Sequence, residues 1–211
     1  ALSEQEAAAQ QQYMDSARQL SKARRSAAKN LTQQVQKQLT ALSMKAAKLE
    51  AQLGECAPGA DGLEDVEFLF SANPGQPLKP LGKVASGGEL SRVSLAIQVI
   101  CARNLTVPSL VFDEVDVGVG GGVAEIVGRL LRELGGHAQV LCITHQPQVA
   151  SQGHQHWQVH KIQGDDTTHT RIQGLDDNAR IEELARMLGG VEITESTRNH
   201  AKEMLSKAQA A

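Results

Sequence analysis

Apolar side chains in the first 53 residues recur at the spacing of a helix seam. Val35, Leu42 and Leu49 share one heptad position, and Leu39, Ala46 and Leu53 share the other. Gln33, Gln34, Gln36, Lys37 and Gln38 occupy the remaining faces. This a/d repeat, in a stretch without a single glycine or proline before Gly54, predicts a long helix of a coiled-coil arm over residues 1–54. Followed backwards, the register meets Thr32, Ala28, Arg25 and Ser21 and breaks, while Leu20, Ala27 and Leu31 define a shifted seam. The competing reading is a surface helix packed on its own domain.

Beyond Gly54 the pattern becomes α/β. Val66–Ser71 reads as a strand, followed by a loop with Pro74, Gly75, Pro77 and Pro80. Leu90, Val93, Ile97 and Ile100 give Glu89–Ala102 a helical period. Ser109–Phe112 and Val140–Ile143 are short apolar strands, and Gly122–Leu134 between them is an amphipathic helix. His156–His160 and Thr168–Gln173 predict a hairpin across Gly164–Asp166, and Asp177–Leu188 and Thr194–Ala208 predict closing helices. Buried strands alternating with helices argue for a mostly parallel sheet with flanking helices over residues 55–211.

Charge follows the same division. Residues 1–53 carry 8 Lys+Arg against 4 Asp+Glu, whereas the whole 211-residue chain has a net charge of -3. Arg18, Lys22, Arg24, Arg25 and Lys29 are placed to meet nucleic-acid phosphates, or simply form a solvated helix face. The chain has only five aromatic residues, so its core must be aliphatic. Cys56, Cys101 and Cys142 are odd in number and form no CxxC pair, which disfavours a disulfide framework and fits a cytoplasmic protein. No apolar run approaches the roughly 20 residues that span a bilayer. A start at Ala rather than Met suggests a fragment or processed product.

Three motifs carry chemistry. Ala85-Ser86-Gly87-Gly88-Glu89 heads a predicted helix; successive backbone N–H groups and the helix dipole make an anion site, unless Ser86 and Glu89 only form a capping box. Leu110-Val111-Phe112 runs into Asp113 and Glu114, which places two carboxylates at the carboxyl edge of the sheet. There the first can hold a hydrated Mg²⁺ and the second can orient or deprotonate a water. Ile143-Thr144-His145 ends a second strand in a histidine at the same edge. The glycines at 118 and 120–122 imitate a dinucleotide fingerprint, but Val123 stands at its third glycine position. His154, His156 and His160 alternate along an expected edge strand without a fourth ligand of metal-site spacing.

The three motifs in this order resemble the heads of ABC-type ATPases. Lys83–Arg92 (KVASGGELSR), Val111–Gly121 (VFDEVDVGVGG), Thr144–Ala150 (THQPQVA) and Gly153–Trp157 (GHQHW) resemble the bacterial SMC-like branch that acts in DNA repair. Asn73–Pro77 and Leu184–Gly190 extend the likeness over nearly all of residues 55–208. The resemblance implies the C-terminal lobe of a P-loop ATPase head, preceded by the returning strand of a coiled-coil arm. It implies that Ser86, Gly87, Gly88 and Glu89 are the signature that contacts ATP held by an opposite head. Asp113 would be the Walker B Mg²⁺ ligand, Glu114 the catalytic glutamate and His145 the switch histidine. The D-loop aspartate usual in such heads is replaced here by Gly120.

A phosphate-cradling P-loop needs G-x4-G-K-[S/T]. The one Gly-Lys pair, Gly82-Lys83, has Pro77 and Val84 at the other required positions, so half of an active site is missing. The implied partners are an N-terminal P-loop lobe of the same protein, a second copy across sandwiched ATP, and DNA, with no membrane and a cytoplasmic, nucleoid-associated location. The expected function is ATP hydrolysis in double-strand break repair, the fragment alone being inactive. The alternatives are a non-catalytic DNA-tethering module that uses ATP as a clamp, or an ABC transporter subunit.

Overall fold

The computed structural model describes residues 2–84, 87–102, 107–163, 168–190 and 192–210, with the side chains of residues 162, 163 and 168 excepted. The chain forms two compact units, Ala1–Ser86 and Gly87–Ala211.

In the first unit, helix α1 (Leu2–Ala41) is followed by strands β1 (Lys48–Gly59), β2 (Gly62–Ser71) and β3 (Lys79–Pro80), which make an antiparallel sheet in that order. The expected helical arm to residue 54 is therefore corrected: the helix ends at Ala41, and Leu49, Ala51 and Leu53 belong to a strand. Ser43 takes a left-handed φ of 60°, and the Met44 N–H reaches back to the Leu39 carbonyl at 2.8 Å, the 6→1 bond of a Schellman ending. Neither a glycine nor a proline marks this stop. The positions four apart that suggested a heptad also fall on one face of a strand, and Leu49 pairs with Phe70 across the ladder, both buried.

The seam finds its cover inside this unit. Val35, Leu39 and Leu42 are completely buried, together with Met44, Ala47, Leu49 and Phe70, and α1 lies against β1 and β2. This is the arrangement of a helix packed on its own sheet. Further along α1, Tyr13 donates its hydroxyl to the carbonyls of Gly59 and Gly62 at 3.0 and 3.1 Å, so the β1–β2 turn is tied to the helix. Arg24 donates to the Asp61 carbonyl at 2.6 Å, and Arg24 and Arg25 lie 4.0 and 3.7 Å from the buried Glu64 carboxylate. With Arg18 3.7 Å from Asp15 on the same helix, three of the five basic residues considered for phosphate contact already have partners within the fold.

In the second unit, α2 (Gly87–Ile100) leads to β4 (Ser109–Phe112), then α3 (Gly121–Gly135) and β5 (Gln139–Cys142). β4 and β5 are parallel, with Phe112 opposite Cys142. The short α4 (Pro147–Ala150) is followed by β6 (Trp157–Gln163) and β7 (Thr168–Gly174), an antiparallel pair. Residues of the expected 164–166 turn lie outside the described residues, and His154 precedes β6 instead of sharing its face with His160. Helices α5 (Asp177–Gly189) and α6 (Glu195–Ala210) close the unit. Asp176 caps α5, its side chain accepting the Ala179 N–H at 2.8 Å.

The core here is aliphatic apart from Phe112. Val93, Leu95 and Ala96 of α2 and Ala124, Val127 and Leu134 of α3 are fully buried, and a second cluster joins Leu184 and Ala185 of α5 to Ala201 and Leu205 of α6. Among the described residues no helix is long and apolar enough to cross a membrane. The three cysteines are unpaired.

Candidate functional site

Parallel pairing of β4 and β5 decides where the motifs meet. The Ile143 N–H donates to the Phe112 carbonyl at 3.0 Å, continuing the ladder to the last residue before the carboxylates. Asp113–Glu114 and Thr144–His145 consequently leave adjacent strands at one edge, and Asp113, Glu114 and His145 are all exposed there.

The turn after β4 is held tightly. Glu114 has a φ of +58°, the left-handed region that a Cβ disfavours, and its N–H donates to Asp113 Oδ1 at 2.9 Å. The Val117 N–H returns to the Glu114 carbonyl at 3.2 Å. From the other side, Ser91 of α2 donates its hydroxyl to the Asp113 carbonyl at 2.9 Å, and Arg92 donates to the Val117 carbonyl at 2.8 Å. Burial pulls the Arg92 guanidinium below its ordinary pKa, with Glu89 acting in the opposite direction.

The glycines of α2 matter for this approach. A Cβ added to Gly87 would run into the Glu114 carboxylate, and one added to Gly88 would press on the Glu114 and Val117 carbonyls at 3.3 and 3.4 Å. The first turn of α2, the positive end of its dipole, therefore lies against the acidic turn. Ser86 lies outside the described residues; Glu89 is half-buried.

Behind the edge sits a residue that the sequence reading left without a role. Asp116 is only 1% exposed, and the Thr144 hydroxyl donates to its Oδ2. His145 Nδ1 stands 3.9 Å from Asp116 Oδ1. Thr144 Oγ1 accepts the Gln146 N–H at 2.9 Å, and Gln146 Nε2 donates to the Val119 carbonyl at 3.1 Å. The only signal in the sequence was a third acidic residue two positions past Glu114 and a threonine just before the histidine. The nearby Cys142 thiol is pushed up to about 12, first by burial and then by Asp116 and Asp113, so it stays protonated and is no nucleophile. Among the described residues no cluster of His, Cys, Asp and Glu side chains forms a ready metal cage. The site thus offers two solvent-facing carboxylates and an exposed histidine beside a helix N-terminus, groups suited to a phosphate and a water.

Comparison with known proteins gives consistent relatives. The chain is 50% identical over 200 residues to DNA repair protein RecN of Vibrio cholerae, which covers 94% of this chain and 36% of that protein. It is 55% identical over 152 residues to DNA repair protein RecN of Xylella fastidiosa, covering 72% of this chain and 27% of the relative. The chain therefore spans about a third of the length of the curated relatives it matches. No family model matches. Among solved structures, an Smc head domain with a coiled coil and joint from Pyrococcus yayanosii superposes with a TM-score of 0.52 at 18% identity, over 73% of this chain and 28% of that one, a likeness of fold.

Proposed function

We propose that this chain, which belongs to the RecN family of SMC-like DNA repair proteins, is one lobe of an ATPase head whose phosphate-cradling lobe is carried elsewhere in the longer protein. In the intact protein two such heads enclose ATP between them and hydrolyse it, and this cycle serves DNA held for double-strand break repair in the cytoplasm, at the nucleoid. The observation that carries this reading is the meeting of Asp113, Glu114 and His145 at adjoining ends of the parallel β4–β5 pair, with the glycine start of α2 against Glu114.

Each residue then has a distinct task. One Asp113 oxygen accepts the Glu114 N–H, which leaves the exposed carboxylate room to hold a hydrated Mg²⁺; the donor set fits a hard cation. Mg²⁺ supplies neutralisation of phosphate charge when bound. Glu114 takes the proton of the water that attacks the γ-phosphorus, as the bond to the ADP oxygen breaks. His145 meets the γ-phosphate from β5. Ser86, Gly87, Gly88 and Glu89 present the N-terminus of α2 to the nucleotide held by the opposite head.

An uncovered sheet face supports the need for a companion lobe. Parallel sheets are covered on both faces. Here Phe112 points into the helices, but Val111, Leu141 and Ile143 on the other side are 68%, 50% and 61% exposed. Three branched aliphatic side chains side by side on a two-stranded parallel sheet form a surface that the longer protein has reason to bury.

The test uses the intact protein. Glu114→Gln should bind ATP near normally while hydrolysis falls on the order of 10²-fold or more. Asp113→Ala should weaken Mg²⁺-dependent binding. Light scattering of the Glu114→Gln protein should show ATP-driven dimers of heads, and an added Ser86→Arg should abolish them without lowering the melting temperature. Hydrolysis by Glu114→Gln at the wild-type rate would remove the assignment of the base. ATP-driven dimers without any turnover in the wild type would favour the clamp.

A further inference from the structure

We propose that Asp116 is a positioning residue of this site, whose charge orients His145 toward the nucleotide while its hydrogen bond with Thr144 fixes the turn after β5. The inference rests on the ATPase reading above. A carboxylate at 1% exposure is expensive to bury unless its oxygens are used. Both Asp116 oxygens face the β5 exit: Oδ2 receives the Thr144 hydroxyl, and Oδ1 looks at His145 Nδ1 from 3.9 Å. That distance is beyond a hydrogen bond, but small enough for attraction to set which ring nitrogen turns inward. The opposite nitrogen, Nε2, is thereby left toward the open edge, with the Gln146 amide 3.5 Å away.

The rest of the network removes freedom from the same turn. Thr144 uses its hydroxyl proton on Asp116 and accepts the Gln146 N–H with its oxygen, and Gln146 returns to Val119, three residues beyond Asp116. The acidic turn and the histidine turn are thus tied to each other at two points. A buried carboxylate that fixes the direction of an imidazole is a recurring way of preparing histidine for its chemistry.

Two roles separate cleanly by substitution. If Asp116 only ties two loops, an amide does as well, because its carbonyl accepts the Thr144 hydroxyl and the shape is unchanged. If the charge facing His145 matters, Asp116→Asn loses it while keeping the tie. In the intact protein we expect Asp116→Asn to melt close to wild type, to lower kcat about tenfold to a hundredfold, and to leave KM for ATP within about twofold. The same substitution in a His145→Ala background should change nothing further. Thr144→Ala should also lose activity, and Thr144→Ser should recover most of it.

The ¹³Cε1 resonance of His145 in selectively labelled intact protein gives a readout that needs no turnover. It should move in Asp116→Asn and stay in Thr144→Ser. Wild-type kcat in Asp116→Asn, an equal loss in the His145→Ala background, or an unmoved resonance would each overturn the proposal. Were the wild type to hydrolyse nothing, the ATPase reading would fall alone, and the resonance would still decide whether Asp116 holds the ring.

Discussion

Glu114 sits at φ +58°, so its proposed role in catalysis and its backbone conformation can be tested at one position. Left-handed backbone costs a residue with a Cβ about 1–2 kcal/mol. Glycine is free of that penalty but loses about 0.4–1 kcal/mol through the entropy of the unfolded chain. Comparing Glu114→Gly with Glu114→Ala isolates the difference, since both remove the carboxylate from the first turn of α2, an interaction worth about 0.3–1 kcal/mol that cancels between them. Subtracting the midpoints, about 1.5 and about 0.7 kcal/mol, leaves the glycine variant ahead by about 0.8 kcal/mol. At about 2–4 °C per kcal/mol for a domain of this size, thermal unfolding of the two purified variants should differ by one to a few degrees. Neither variant should hydrolyse ATP. At an ordinary exposed position alanine is the more stable of the two, so an alanine variant that melts above the glycine variant would refute the strained turn.

Leu39 is completely buried against the first unit's own sheet, so Leu39→Ala should cost about 2–5 kcal/mol in urea unfolding, whereas the exposed Leu20→Ala should cost far less at any protein concentration. Gly128 of α3 has no room for a side chain: an added Cβ would lie 2.7 Å from Gln152 Cγ, 3.0 Å from the Gln148 carbonyl and 3.1 Å from the Val149 backbone. The helix propensity gained by alanine, about 1 kcal/mol, is outweighed by overpacking of typically 1–3 kcal/mol against backbone, so Gly128→Ala should lower the melting temperature. Cys142 keeps its proton up to about pH 12 in the folded state against an ordinary value of 9.0. Its share of stability is therefore complete below pH 9 and lost as pH rises toward 12, and its alkylation in folded protein should stay slow at pH 9, where Cys142 in urea-unfolded protein reacts readily.

Local pattern was sufficient wherever an element buries its own period. The helical spacing of Leu90, Val93 and Ile97, the short apolar runs at Ser109–Phe112 and Val140–Ile143, and the carboxylates and histidine that end them were all legible, because each depends on neighbours within a few residues. Two features were not. The end of α1 is made by a serine in the left-handed region, and the next apolar residues sit four apart, a spacing that a helix and a strand both satisfy; only packing against Phe70 chooses the strand. Asp116 looked like one more polar loop residue after Glu114. Its burial and its partner Thr144, 28 residues away, exist only because β4 and β5 lie parallel in one register, and no local spacing encodes which two strands pair.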